Sequence, residues 1–212
     1  MKIVEASNRR AIDRLLTAAG GPSARLGAGG DRAFERRVQR IVDAVRDDGD
    51  RALKRYAKRF DRVSGPIEVT ADEMREGAAL VDPAVRRAIK QAAANIARVA
   101  FRQIPKHFDV TVAPGVSIEQ RVEPLGRVGC YVPGGRFPLP SSLLMTAVPA
   151  RVAGVREVIV VCPRPEPAVM AAALEAGATR LFRIGGAHAV AAMAFGTKTV
   201  PGVDKIVGPG NR

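Results

Sequence analysis

Tryptophan is absent from this 212-residue sequence, and cysteine, histidine and tyrosine occur only twice each. Two cysteines cannot build the disulfide framework of a small secreted domain, and Cys130 and Cys162 lack the spacing of metal ligands. No apolar run approaches the roughly 18 residues that span a bilayer, and the N-terminal residues lack the apolar stretch of a signal peptide. The sequence therefore predicts a globular cytoplasmic protein with no membrane partner.

Aromatic side chains are also scarce, at 4% of the residues, although the net charge is +13. A protein that reads nucleic acid concentrates basic groups on one face and adds aromatic side chains for stacking. Here the basic residues are spread along the chain, mostly on the polar faces of predicted helices. A solvated basic surface is favoured over nucleic-acid binding, and we predict no nucleic-acid partner.

The sequence divides into three predicted parts. Residues 1–30 contain a short helix at 8–19 and a glycine-rich connector, which together form an N-terminal arm. Residues from about 31 to 122 form a helix-rich α/β part, and residues from about 123 to 212 form a parallel-sheet domain. The length is sufficient for each of the two larger parts to contribute to a buried core.

Helix-start signals recur in the helix-rich part. We predict that Asp50 caps a helix, that Thr70 and Glu73 form a capping box, and that Asp82 caps a long helix that opens with proline. The apolar stripe of this long helix is predicted to run from Val85 to Val99. Nothing in these helices indicates chemistry, so their apolar faces are assigned to packing.

The pattern changes towards the C-terminal half. Residues 108–118 alternate around a Pro-Gly turn, which predicts a hairpin. From Gly126 onward, short apolar strands alternate with helices, which is typical of a parallel sheet covered on both faces. The strands are predicted at about 128–132, 157–162, 180–184 and 204–207, and the helices between them at about 141–153, 166–176 and 187–195.

Three of the four predicted strands end in glycine-rich loops, at Pro133–Gly135, Gly185–Gly186 and Gly208–Asn211. Parallel strands bring such loops to one edge of the sheet, where ligands bind. Glycine allows close approach of backbone N–H groups, and helix N-termini attract anions. The sequence predicts a cleft for a nucleotide or small anion, with simple chain reversal as the alternative. Neither Gly-x-Gly-x-x-Gly nor the Gly-Lys-Ser/Thr phosphate loop is present.

Few side chains near these loops carry obvious chemistry. His188 is either a ligand contact or a solvent-facing residue at a helix start, and His107 is expected to be exposed. Cys130 is interpreted as a buried structural cysteine, because a nucleophilic thiolate needs a base or a positive neighbour. The residues alone predict a ligand cleft and no active site.

Five motifs closely resemble those of histidinol dehydrogenases. The resemblance covers essentially the whole chain but only the first half of the family's length. The motifs are Gly126–Arg136, Pro140–Met145, Pro149–Val155, Phe182–Ala187 and Val203–Asn211.

The resemblance implies an incomplete Rossmann-like sheet domain in an NAD- and zinc-dependent homodimer. Such enzymes oxidise L-histidinol to L-histidine with two NAD, in histidine biosynthesis. Their catalytic Glu–His pair and zinc ligands belong to the half that would follow Arg212, so no catalytic or metal-binding residue is expected in this chain. The chain alone is expected to be inactive and marginally stable. The alternative is a non-catalytic nucleotide-binding or interaction module.

The resemblance also identifies three cofactor positions. Tyr131 and Asn211 match NAD contacts of the family. The third contact is normally glutamine, and His188 stands in its place. An imidazole replaces one amide hydrogen bond but not both the donor and the acceptor, which predicts an altered cofactor contact.

Overall fold

The computed structural model describes residues 32–134 and 138–209. The predicted helix at 8–19 and the cofactor position Asn211 lie outside the described residues. The chain divides into two compact units, Met1–Arg40 and Ile41–Arg212. The predicted boundaries near residues 30 and 122 stay predictions.

The fold is mixed α/β, as predicted, and every strand and helix predicted from Gly126 onward is present with ends shifted by at most two residues. A brief strand at 67–69 in the helix-rich part, which the sequence also predicts, is present as Glu68–Val69. The elements are α1 (Arg32–Asp48), α2 (Asp50–Tyr56) with a π-helical turn (Ala57–Asp61), β1 (Glu68–Val69), α3 (Ala71–Ala79), α4 (Pro83–Gln103), β2 (Phe108–Ala113), β3 (Val116–Gln120), β4 (Arg127–Tyr131), α5 (Pro140–Val152), β5 (Glu157–Val161), α6 (Pro167–Ala176), β6 (Arg180–Phe182), α7 (Gly186–Phe195) and β7 (Lys205–Val207).

The order of the strands in the sheet reverses at β4. The order is β1-β6-β5-β4-β7, and all pairs are parallel except β1 with β6. The chain therefore runs outward from β4 through β5 to β6, then crosses back so that β7 lies on the other side of β4. In open α/β sheets, ligands bind where the strand order reverses, which here is between the carboxyl ends of β4 and β7.

Both faces of the sheet are buried, because neighbouring residues of β5 point into two different cores. Val158 and Val160 belong to a cluster with α3, α4, α5 and α6. Ile159 and Val161 belong to a second cluster with α2, α7 and the end of α1. This arrangement explains why β5 reads as a continuous apolar run rather than an alternating one.

Two of the predicted caps are confirmed. The Thr70 hydroxyl accepts the backbone N–H of Glu73 at 3.1 Å, and the Glu73 carboxylate accepts that of Thr70 at 2.8 Å. The Asp82 carboxylate accepts the N–H of Ala84 at 2.7 Å at the start of α4. These contacts satisfy N–H groups that a helix cannot pair internally.

The predicted cap at Asp50 is wrong. Gly49 is the N-cap of α2, with a left-handed φ of 55°. The Asp50 carboxylate instead accepts the backbone N–H of Thr199 at 3.0 Å and its hydroxyl. A side chain in the first turn of α2 therefore fixes the loop that leads from α7 to β7, a tertiary contact that outweighs the local capping preference.

The predicted stripe of α4 is only partly correct. Ile89, Ala93 and Ala100 are buried, whereas Val85 and Val99 are 45% and 60% exposed. The buried face of α4 packs against α5 and α6, and its small alanines permit close approach. Val85 and Val99, at the two ends of the predicted stripe, lie outside the buried face of α4.

The hairpin predicted at 108–118 is present as β2 and β3, and both of its faces are exposed. Its apolar face carries Phe108, Val110 and Ile118, and its polar face includes a contact between Thr111 and Ser117. Within the described residues, no helix has the length and apolar character needed to cross a membrane.

Candidate functional site

The carboxyl-end loops of the sheet touch one another, as the glycine pattern predicted. A β-carbon at Gly134 would lie 2.5 Å from Cγ of Pro163, and one at Gly185 would lie 2.7 Å from the same atom. A β-carbon at Gly208 would overlap the carbonyl of Tyr131. These glycines are therefore required by close packing of the loops after β4, β5, β6 and β7, whether or not a ligand approaches them.

Tyr131 ends β4 at the point where the strand order reverses. Its hydroxyl accepts the backbone N–H of Gly186 at 3.0 Å, which ties β4 to the first residue of α7. No acceptor for the hydroxyl proton of Tyr131 is present among residues 32–134 and 138–209. A half-buried phenol beside β7, whose proton has no acceptor in that part of the chain, is suited to donating a hydrogen bond to a ligand.

His188 is buried, so its interpretation as a solvent-facing residue is wrong. The residue is only 1% exposed, and its Nε2 lies 2.7 Å from Oδ2 of Asp61. The ring packs near Tyr56 and Phe60, with centroids 6.1 and 5.9 Å away. The cause is that the π-helical turn after α2 brings Asp61 under the first turn of α7. Direct contact of His188 with a cofactor stays a prediction, and its ring now has a protein partner.

Asp61 was not predicted as a site residue, yet it organises the loop before α7. Besides meeting His188, its Oδ2 accepts the backbone N–H of Gly185 at 3.2 Å. Its side chain is 8% exposed and lies at the positive end of the α7 dipole, which favours a carboxylate there. The sequence feature that could indicate Asp61 is an acidic residue directly after the apolar stripe of a helix. Its partner, His188, is remote in sequence.

The cysteines are structural, as predicted for Cys130. Burial raises the pKa of Cys130 to about 11, an increase that a hydrogen bond with Thr146 only partly offsets. Burial likewise raises the pKa of Cys162 to about 12, with a further contribution from Glu166. Neither thiol forms a thiolate at neutral pH, so neither is a ready nucleophile.

The other predicted features lie apart from this edge. His107 is exposed, as expected, with Nε2 3.6 Å from Glu119 on the hairpin. In the part of the chain that the structure describes, no group of three or more His, Cys, Asp or Glu side chains could hold a metal ion.

Comparison with known proteins decides the family. The sequence profile described as histidinol dehydrogenase matches residues 27–212. The chain belongs to the histidinol dehydrogenase family. It is 49% identical over 184 residues to the histidinol dehydrogenase of Syntrophotalea carbinolica, covering 84% of this chain and 43% of the relative. It is 43% identical over 187 residues to that of Oceanobacillus iheyensis, covering 85% and 44%.

The fold agrees with a solved member of the histidinol dehydrogenase family. The crystal structure of the enzyme from Elizabethkingia anophelis matches with a TM-score of 0.80 at 32% identity, covering 84% of this chain and 43% of that one. The chain thus spans less than half the length of the histidinol dehydrogenases that it matches. Its mostly parallel sheet and the loops at its carboxyl edge belong to the shared part.

Proposed function

We propose that this chain provides the NAD-binding part of a histidinol dehydrogenase, which oxidises L-histidinol to L-histidine with two NAD. The observation that carries the proposal is the placement of Tyr131 at the strand-order reversal, in a chain of this family. Tyr131 and Asn211 are the residues proposed to hold NAD, which supplies the hydride acceptor when bound. We further propose a cytoplasmic homodimer.

In this proposal His188 is a positioning residue. His188 and the N–H of Gly185 both bind Asp61. The next residue, Gly186, donates its N–H to the hydroxyl of Tyr131. The described residues fit an NAD contact because the hydroxyl of Tyr131 is a donor with no acceptor among them. They do not fit zinc, and the zinc ligands and catalytic Glu–His pair are proposed to lie outside this chain.

Calorimetric titration of the 212-residue chain with NAD tests the cofactor assignment. Tyr131→Phe should weaken binding about 5-fold, the effect of removing one hydrogen bond of ordinary strength. Tyr56→Phe is the matched control, because it removes the only other tyrosine hydroxyl. Absence of NAD binding, or equal weakening by both substitutions, would contradict the assignment.

A second assay tests the placement of the catalytic residues. The chain is incubated with zinc, NAD and L-histidinol, and NADH formation is followed by the absorbance of the reduced nicotinamide. We expect no NADH from the chain alone. Sustained NADH formation would show that catalytic groups are present in this half, whereas NAD binding without turnover also fits a non-catalytic nucleotide-binding module.

A further inference from the structure

A pocket of about 300 Å³ lies at the carboxyl ends of β5 and β6, on the side of the sheet away from β7. Its lining combines the loop after α2 with the loop after β5 and the end of β6. Three arginines contribute to it: Arg62, Arg164 and Arg183. It is therefore separate from the proposed cofactor position beside Tyr131.

Arg183 is only partly satisfied by the protein. Its Nη2 donates to Oε2 of Glu73 at 2.8 Å, but its Nε is buried without a hydrogen-bond partner among the described residues. A buried N–H that lacks an acceptor is costly to folding. The Arg183 side chain is 29% exposed and lines the pocket, so an oxygen-rich ligand there would lie beside a side chain that the protein satisfies only in part.

Arg62 and Arg164 are exposed, and no hydrogen bond or ion pair joins either guanidinium to another residue in 32–134 or 138–209. Both have left-handed backbone conformations, with φ of 60° and 55°. Glycine adopts this conformation more easily than a residue with a β-carbon. Arginine thus occupies two positions where the backbone favours glycine, and both border one pocket.

The local carboxylates do not neutralise these arginines. Asp61 also lines the pocket, but its Oδ2 is engaged by His188 and by the N–H of Gly185. Glu73 is engaged by Arg183 and by its own capping box. Among the described residues, three arginines and one carboxylate line the pocket, so the formal charge of its lining is positive.

We propose that Arg62, Arg164 and Arg183 form a binding site for a phosphomonoester dianion. Guanidinium groups present parallel N–H donors that match phosphate oxygens, and several together bind such an anion strongly. The phosphate belongs either to a free phosphate or to a nucleotide bound along the same sheet edge, such as the 2′-phosphate of NADP, which arginine can accommodate in dinucleotide folds. Only the second source rests on the proposed cofactor function.

The test is calorimetric titration of the 212-residue chain with inorganic phosphate, with sodium chloride added to hold the ionic strength constant. Arg164→Gly and Arg62→Gly each remove a guanidinium while suiting the left-handed backbone, so both variants should melt no lower than wild type. Each should weaken phosphate binding about 10-fold, the effect of losing one charge-assisted contact. Arg164→Lys should retain part of the affinity, and Arg98→Gln, on the exposed side of α4, should retain all of it.

Titration with NADP and NAD separates the two sources. Tighter binding of NADP that Arg164→Gly abolishes supports the site and assigns the phosphate to a cofactor. Saturable phosphate binding supports the site with free phosphate as its ligand if NAD and NADP bind equally well, or if neither of them binds. Binding of phosphate without any binding of NAD leaves the pocket standing and removes the cofactor proposal. No saturable phosphate binding, or equal loss in Arg98→Gln, overturns the proposed site.

Discussion

Removal of the Asp61 carboxylate should destabilise the protein far more than removal of an exposed acid. Asp61→Ala leaves two buried groups without their acceptor, Nε2 of His188 at 2.7 Å and the N–H of Gly185 at 3.2 Å. Each such orphan costs about 1–3 kcal/mol. Because the second bond is long, we expect the free energy of unfolding to fall by about 2–4 kcal/mol.

The matched partner substitution is His188→Gln, which introduces the amide that the family resemblance leads us to expect at this position. It can keep one hydrogen bond to Asp61 but loses the ring contacts with Tyr56 and Phe60, each worth about 0.5–1.5 kcal/mol. We expect it to cost about 1–2 kcal/mol. In the double variant the flexible glutamine amide can turn away from the missing carboxylate, which the packed imidazole cannot do, so the combined cost should be less than the sum by about 1–2 kcal/mol.

The assay is urea unfolding followed by far-ultraviolet circular dichroism, with Asp109→Ala on the exposed hairpin as the control. That control should change the unfolding free energy by no more than about 0.5 kcal/mol. If Asp61→Ala proves as mild as the control, or if the effects at the two sites add fully, the pair does not hold the loop and the reasoning fails.

Three further substitutions probe separate parts of the fold by the same unfolding measurement. Thr70→Ala should cost about 1 kcal/mol by removing the capping box, and no loss would show that Glu73 alone satisfies the helix start. Val160→Thr buries an unpaired hydroxyl and should cost about 1–3 kcal/mol. Its control, Val110→Thr on the exposed hairpin, should change the unfolding free energy by no more than about 0.5 kcal/mol. Equal effects of the two substitutions would contradict the assignment of Val160 to the core. Gly208→Ala should cost at least about 1 kcal/mol, because φ is 145° and the methyl meets the carbonyl of Tyr131, and a neutral result would mean that the loop shifts freely.

The features predicted well are those set by short stretches of sequence. Glu157–Val161 reads as a buried parallel strand because its apolar run serves two cores at once. The Thr70 capping box needs only a partner three residues away. The glycine loops could be placed at one edge because parallel strands leave no other arrangement of their carboxyl ends.

The features that escaped prediction depend on contacts between remote residues. Glu68 pairs opposite Phe182, which makes β1 an antiparallel edge strand of a sheet predicted to begin much later. Asp61 and His188 are 127 residues apart. Each had an adequate local explanation, a helix end for the first and a helix start for the second, and nothing local distinguished a buried pair from two exposed residues.

These remote contacts alter the interpretation of the helix-rich part, which was assigned to packing alone. From it, Asp50 fixes the loop before β7, Asp61 fixes the loop before α7, and Glu73 holds Arg183 at the end of β6. Asp61 and Glu73 act at the carboxyl edge of the sheet, where β6 ends and α7 begins. Asp50 acts at the opposite edge, where the carbonyl of Thr199 also accepts Nη2 of Arg180 at the start of β6. The conformation of the candidate cofactor edge therefore depends on Asp61 and Glu73, two acidic side chains that precede the sheet domain in sequence, and substitution of either one should change that edge.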